Sequence, residues 1–78
     1  LTGISQQNER IIRSPMPGRI VSVSVKVWDS IEPGGEVCIL ETMKMEQSIR
    51  APRDGVVKEV LVQPMDSVRT NDHLIELE

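Results

Sequence analysis

Seventy-eight residues make one domain near the lower limit of unaided folding, and the usual supports for so small a chain are missing: a single cysteine closes no internal disulfide, and one cysteine with one histidine builds no zinc site. A net charge of −3 with both signs interspersed argues against non-specific binding to nucleic acid or anionic membrane, and the lack of Phe and Tyr removes the usual base-stacking groups. No apolar run approaches membrane-spanning length, and no signal-peptide pattern opens the chain.

Val and Ile supply most of the core-building residues, and no stretch holds a 3.6-residue apolar period for three turns, so the chain reads as all-β with short strands. In chain order, Leu1–Glu9 is polar and unpatterned and reads as a flexible linker, leaving residues 10–78 as the domain. A short strand, Ile11–Ser14, meets the turn PMPG. An alternating strand follows over Arg19–Val25, with Val23 and Val25 expected on the core face. Ile20 has the wrong parity for that face, which predicts a bulge near the strand start. Then come a brief strand at Ser30–Ile31 and a longer one at Glu36–Thr42.

The second half repeats the first. Shifting the chain by 37 positions aligns Ser14–Glu41 with Ala51–Glu78, with eight identities in 28 positions, on Pro, Gly, Val, Asp, Ser, Leu and Glu. The equivalent elements are Gln47–Arg50 before the turn APRDG, Val56–Val62 with Val60 and Val62 facing in, Ser67–Val68, and His73–Glu78. Val57 repeats the parity fault of Ile20 and predicts a second bulge. Two copies are too few for a solenoid, so the halves are expected to pack as one sandwich with pseudo-twofold symmetry.

Between the halves lies ETMKMEQ, residues 41–47, in which Lys44 stands between Met43 and Met45. By spacing alone this reads as an ordinary half-buried strand with its methionines in the core, since apolar alternation is the default strand signal. The repeat points to a hairpin instead: if Thr42–Met45 turns tightly, Glu41 and Glu46 face each other, and the 37-residue shift sends them to Glu78 and Glu9, so that the chain ends meet in the opposite sheet. Met-Lys is poor chemistry for a two-residue hairpin, which favours Asn-Gly or Asp-Gly because both central residues take positive φ. A locally costly sequence at that position suggests function.

At this point the residues resemble the biotinyl domain, the biotin carboxyl carrier module of biotin-dependent carboxylases and decarboxylases. SPMPG (Ser14–Gly18), a valine-rich strand, ETMKM (Glu41–Met45) and the closing LIELE (Leu74–Glu78) carry the resemblance, which covers Ile11–Glu78. It implies a flattened eight-stranded barrel-sandwich hybrid of two pseudo-twofold halves, with biotin joined to Lys44 through an amide bond. It implies biotin protein ligase as a partner that reads Glu41, Met43 and Met45, and a non-catalytic carrier that shuttles carboxyl between a biotin carboxylase and a carboxyltransferase. The wording is most similar to the carriers of propionyl-CoA-type carboxylase biotin subunits, and no room is left for the "thumb" insertion of some acetyl-CoA carboxylase carriers. An intracellular site, cytoplasmic or mitochondrial matrix, goes with that implication, and a lone cysteine suits a reducing compartment.

The chain departs from the family pattern at Thr42, where Ala is usual, and at Trp28, Met65 and Asn71, where Gly is usual. Thr42 is similar to the lipoyl domains, and a lipoyl carrier of a 2-oxoacid dehydrogenase complex is one alternative; the flanking methionines favour biotin. A cofactor-free structural barrel-sandwich is the other. Because Trp and Met are costly at positive φ, the turns at Trp28 and Met65 are expected to have shifted type. The family turn and the pseudo-symmetry together imply positive φ at both Met43 and Lys44. Cys38, between Val37 and Ile39, reads as a packed thiol, His73 as a surface residue without catalytic role, and Trp28 as a partly covered aromatic.

Overall fold

Alternating Val- and Ile-rich segments punctuated by Pro, Gly and Asp turns form eight strands: β1 Ile11–Arg13, β2 Gly18–Val23, β3 Ser30–Ile31, β4 Glu36–Thr42, β5 Met45–Arg50, β6 Gly55–Val60, β7 Ser67–Val68 and β8 His73–Leu77. The computed structural model describes residues 9–78; apart from Glu9, the linker expected over 1–9 lies outside the described residues. The Glu9 carbonyl accepts a hydrogen bond from Arg53 Nε at 3.0 Å.

Two four-stranded antiparallel sheets result, in the orders β1-β8-β6-β3 and β5-β4-β2-β7. Each order becomes the other under the 37-residue shift, so the repeat is a pseudo-twofold of the fold. The end pairing follows: Ile11 pairs with Glu76, and the Leu77 N–H donates to the Arg10 carbonyl at 2.7 Å, in the sheet that does not contain β4 and β5.

Both bulges are present. Ile20 pairs with Leu40 and Ser22 with Ile39, leaving Val21 as the extra residue; Val57 pairs with Leu77 and Glu59 with Glu76, leaving Lys58. The bulges turn Ile20 and Val57 inward, and both are fully buried. Val23, Val25, Val60 and Val62, expected on the core face, are only partly buried and pack against its margin. The strands themselves stop at Val23 and Val60, two residues earlier than expected, as the chain leaves the sheet toward the turns at Lys26 and Gln63. Leu40, Leu74, Ile75 and Leu77 fill the centre together with Cys38, whose thiol is pushed up to about 11 by burial and the nearby Glu36 charge. Away from the core, Glu36 accepts hydrogen bonds from the Ser24 and Ser48 hydroxyls, which hold its carboxyl below the ordinary range.

The turns at Trp28 and Met65 have not shifted type. Their φ values are +76° and +82°, matched by a second repeat-related pair, Gly34 at +83° and Asn71 at +73°. Tertiary hydrogen bonds override the local preference. The Trp28 N–H donates to the Val57 carbonyl (2.8 Å) and Val57 N–H to the Asp29 carbonyl (2.9 Å), while Met65 N–H donates to Ile20 and Ile20 N–H to Asp66, both at 2.8 Å. Each half thus clamps the buried bulge residue of the other. A different turn type would leave those buried groups unpaired, a cost above that of the strained φ. Asp29 and Asp66 brace the turns by accepting from the N–H of Lys26 (2.9 Å) and Gln63 (3.0 Å). Trp28 is 70% exposed rather than partly covered, and Met65 is 71% exposed, so neither side chain repays the strain through burial. Trp28→Gly and Met65→Gly are therefore each expected to raise unfolding free energy by roughly 0.5–1 kcal/mol, the relieved strain less the added chain entropy, read from urea midpoints.

Candidate functional site

The hairpin β4–β5 is the longest pairing in the molecule, running from Glu36↔Arg50 to Thr42↔Met45, with Glu41 opposite Glu46 as the repeat required. Its tip is Met43-Lys44. The Lys44 N–H donates to the Thr42 carbonyl at 2.7 Å, closing a three-residue γ-turn centred on Met43, whose φ is +49°. Lys44 itself does not take positive φ, contrary to expectation. A type I′ turn needs two left-handed residues, whereas this closure puts the whole excursion on Met43 and lets Lys44 rejoin the strand with ordinary backbone.

All three tip side chains face solvent: Met43 is 93% exposed, Met45 63%, and Lys44 is exposed between them. The methionines are not core residues, which removes the reading of this segment as a half-buried strand. The chain has three lysines. Lys26 pairs with Asp29 at 3.7 Å and Lys58 with Glu76 at 3.9 Å, while Lys44 makes no ion pair among the described residues.

Rigidity behind the tip comes from Gly18. A Cβ there would stand 2.5 Å from the Glu41 carbonyl oxygen and 3.0 Å from the Thr42 methyl, so β2 approaches β4 as only glycine allows. Half-buried Thr42 packs its methyl over this space, is the last residue of β4, and accepts the turn hydrogen bond, three local reasons for a β-branched residue. Arg19 was not singled out from sequence. Register places it opposite Glu41 on one side and Ser67 on the other, giving an exposed row Glu46–Glu41–Arg19–Ser67 across the sheet. The two glutamates repel as direct cross-strand neighbours, and Arg19 counters that from the next strand. The repeat gave a signal for Gly18 through Gly55; nothing in the pattern pointed to Arg19.

A cleft of about 360 Å³ lies between the edge strands β1 and β5 and does not include Lys44. Among the described residues no cluster of His, Cys, Asp and Glu could hold a metal. The chemistry-bearing group is thus a projecting amine at an exposed hairpin tip, which suits covalent attachment and presentation.

Comparison with known proteins agrees with this geometry. The family described as Biotin-requiring enzyme (Biotin_lipoyl) matches residues 10–77, and the chain belongs to that family. It is 44% identical over 78 residues to the mitochondrial propionyl-CoA carboxylase alpha chain of Homo sapiens, covering all of this chain and 11% of that one. It is 52% identical over 62 residues to the biotin/lipoyl attachment protein of Bacillus subtilis, covering 80% of this chain and 85% of that protein. Among solved structures, the Kluyveromyces lactis urea carboxylase superposes with a TM-score of 0.82 at 29% identity, covering 87% of this chain and 6% of that one. The lipoyl domain of the Azotobacter vinelandii 2-oxoglutarate dehydrogenase complex superposes with a TM-score of 0.67 at 22% identity over 95% of this chain and 89% of that one, and shares the fold. The protein is accordingly a biotin-requiring carrier domain, homologous to the biotinyl domains of carboxylases, and its cofactor is covalent biotin. In that class the carrier domain is a non-catalytic part of the enzyme.

Proposed function

We propose that Lys44 is the residue joined to biotin, and that the domain carries carboxyl between a biotin carboxylase and a carboxyltransferase of an acyl-CoA carboxylase. The observation that carries this reading is the exposed lysine at the hairpin tip, which makes no ion pair among the described residues, whereas the chain's other two lysines each lie within 4 Å of a carboxylate. The Lys44 amine attacks biotinyl-AMP, forming the amide and releasing AMP, and its four-carbon stem becomes part of the arm. Bound biotin supplies the ureido nitrogen that accepts and gives up carboxyl. The protein's share is position: β4 and β5 hold the arm's root clear of the surface, and Gly18 fixes the end of β4. Glu41, Met43 and Met45, exposed around the lysine, are the surface proposed for biotin protein ligase.

The chain spans 11% of the human relative, so the parent activity rests on analogy: a propionyl-CoA-like substrate follows from that relative's name, and a mitochondrial or other intracellular compartment from its location. Net charge of −3 speaks against nucleic acid or an anionic membrane as partner, and no helix of the described residues is long and apolar enough to cross a membrane. The residues before Arg10 are proposed as a tether that lets the carrier visit both sites.

The test sets biotin protein ligase against lipoyl ligase, each with its cofactor and ATP, and reads intact mass. Gain of one biotin with biotin ligase and no lipoyl group with the other is expected. The reverse selects the lipoyl carrier, for which Thr42 speaks, and no modification by either selects the structural module.

A further inference from the structure

The chain contains five sulfur atoms, four in methionines and one in Cys38, and the fold distributes them unequally. Cys38 is fully buried in the core, and burial keeps its thiol protonated at neutral pH, so it is neither reachable nor a thiolate. Met16 is half-buried against the core. The other three are open to solvent: Met43 at 93%, Met65 at 71% and Met45 at 63%. Two of these three adjoin Lys44 directly, and the most exposed of all is the centre of the γ-turn that presents it.

We propose that Met43 and Met45 are sites of reversible oxidation by a hydroperoxide, and that their sulfoxides suppress attachment of biotin to the neighbouring Lys44. The inference rests on the reading of Lys44 given above. In the step itself a sulfide lone pair attacks one peroxide oxygen; the S–O bond forms as the O–O bond breaks. Sulfur loses two electrons, the peroxide gains them, and the hydroxyl proton moves to the departing oxygen, leaving water when the oxidant is hydrogen peroxide. Thiol-dependent methionine sulfoxide reductases reverse it. The product replaces a flexible apolar thioether with a polar, chiral group on each side of the acceptor amine. A ligase that closes over the tip must then desolvate two sulfoxide oxygens that the native surface lacks, a penalty that slows productive docking. Met65 serves as an internal control, since it is equally open but does not flank Lys44.

The test exposes the wild-type domain to hydrogen peroxide, follows each sulfur by peptide mass spectrometry, and measures the rate of biotinylation by biotin protein ligase in the same samples. Met43 is expected to take up oxygen first, and Met16 and Cys38 last. The biotinylation rate is expected to fall at least about tenfold as Met43 and Met45 convert. Reductase treatment should restore it, and Met65→Leu should show the same fall and recovery. A rate unchanged after full conversion of Met43 and Met45, or a fall that tracks Met65, Met16 or Cys38 instead, overturns the proposal. The untreated sample separates the two readings: if it takes no biotin, the assignment of Lys44 has failed rather than its control by oxidation.

Discussion

Lys44→Arg is expected to abolish biotin incorporation completely while changing unfolding free energy by no more than about 0.5 kcal/mol. The two halves of that expectation have separate physical grounds. Arginine keeps the charge and most of the length, but its guanidinium stays protonated near neutral pH and offers no nucleophilic amine. The side chain is exposed at the tip and makes no ion pair among the described residues, so its exchange removes no packing and leaves no partner stranded. Lys26 and Lys58 do not substitute for it. Each lies near a carboxylate, at 3.7 and 3.9 Å, and Lys58 is the extra residue of a bulge in the sheet that holds β1 and β8, not in the β4–β5 hairpin. Intact mass after incubation with ligase, beside a thermal melt of the same preparation, checks both halves. A variant still biotinylated would remove Lys44 from its role, and a variant that lost its cooperative melt would assign the lysine to folding.

The second large effect separates two glycines that the repeat makes equivalent. Gly18→Ala is expected to destabilise the domain by about 1–3 kcal/mol and to slow biotinylation, whereas Gly55→Ala should cost clearly less. At Gly18 the new Cβ would stand 2.5 Å from a backbone oxygen, that of Glu41, with Leu40 and Thr42 closing the other sides at 3.0 Å. Backbone cannot yield without moving the end of β4, and that end carries the tip. At Gly55 the nearest atom is the Arg53 guanidinium at 2.9 Å, the far end of a flexible side chain, and the Leu77 methyl follows at 3.5 Å. Urea unfolding of both variants gives the comparison. Equal losses would mean that the contact with Glu41 is not what makes Gly18 necessary.

Much of this architecture is legible before any coordinates because the repeat reports it twice. Paired Pro, Gly and Asp positions mark the same turns in both halves, and the parity faults at Ile20 and Val57 locate both bulges. Local chemistry fails where distant groups decide. Trp28 and Met65 look incompatible with positive φ, yet the buried amides of Val57 and Ile20 hold both turns in place from the other half of the chain. Those hydrogen bonds have no signature in the residues of the turn. The tip is a related case: symmetry identifies the hairpin, but only the γ-turn hydrogen bond reveals that Met43 alone takes the left-handed backbone. Arg19 joins the site through strand register alone, and its own type says nothing about the glutamate it faces.

Site mapping of the modified protein tests the central claim most directly. After reaction with biotin protein ligase, the domain is digested and every lysine-bearing peptide is sequenced by tandem mass spectrometry. Biotin on Lys44, with Lys26 and Lys58 unmodified in the same sample, is the predicted result; biotin on either of those two lysines, with Lys44 unmodified, would contradict it.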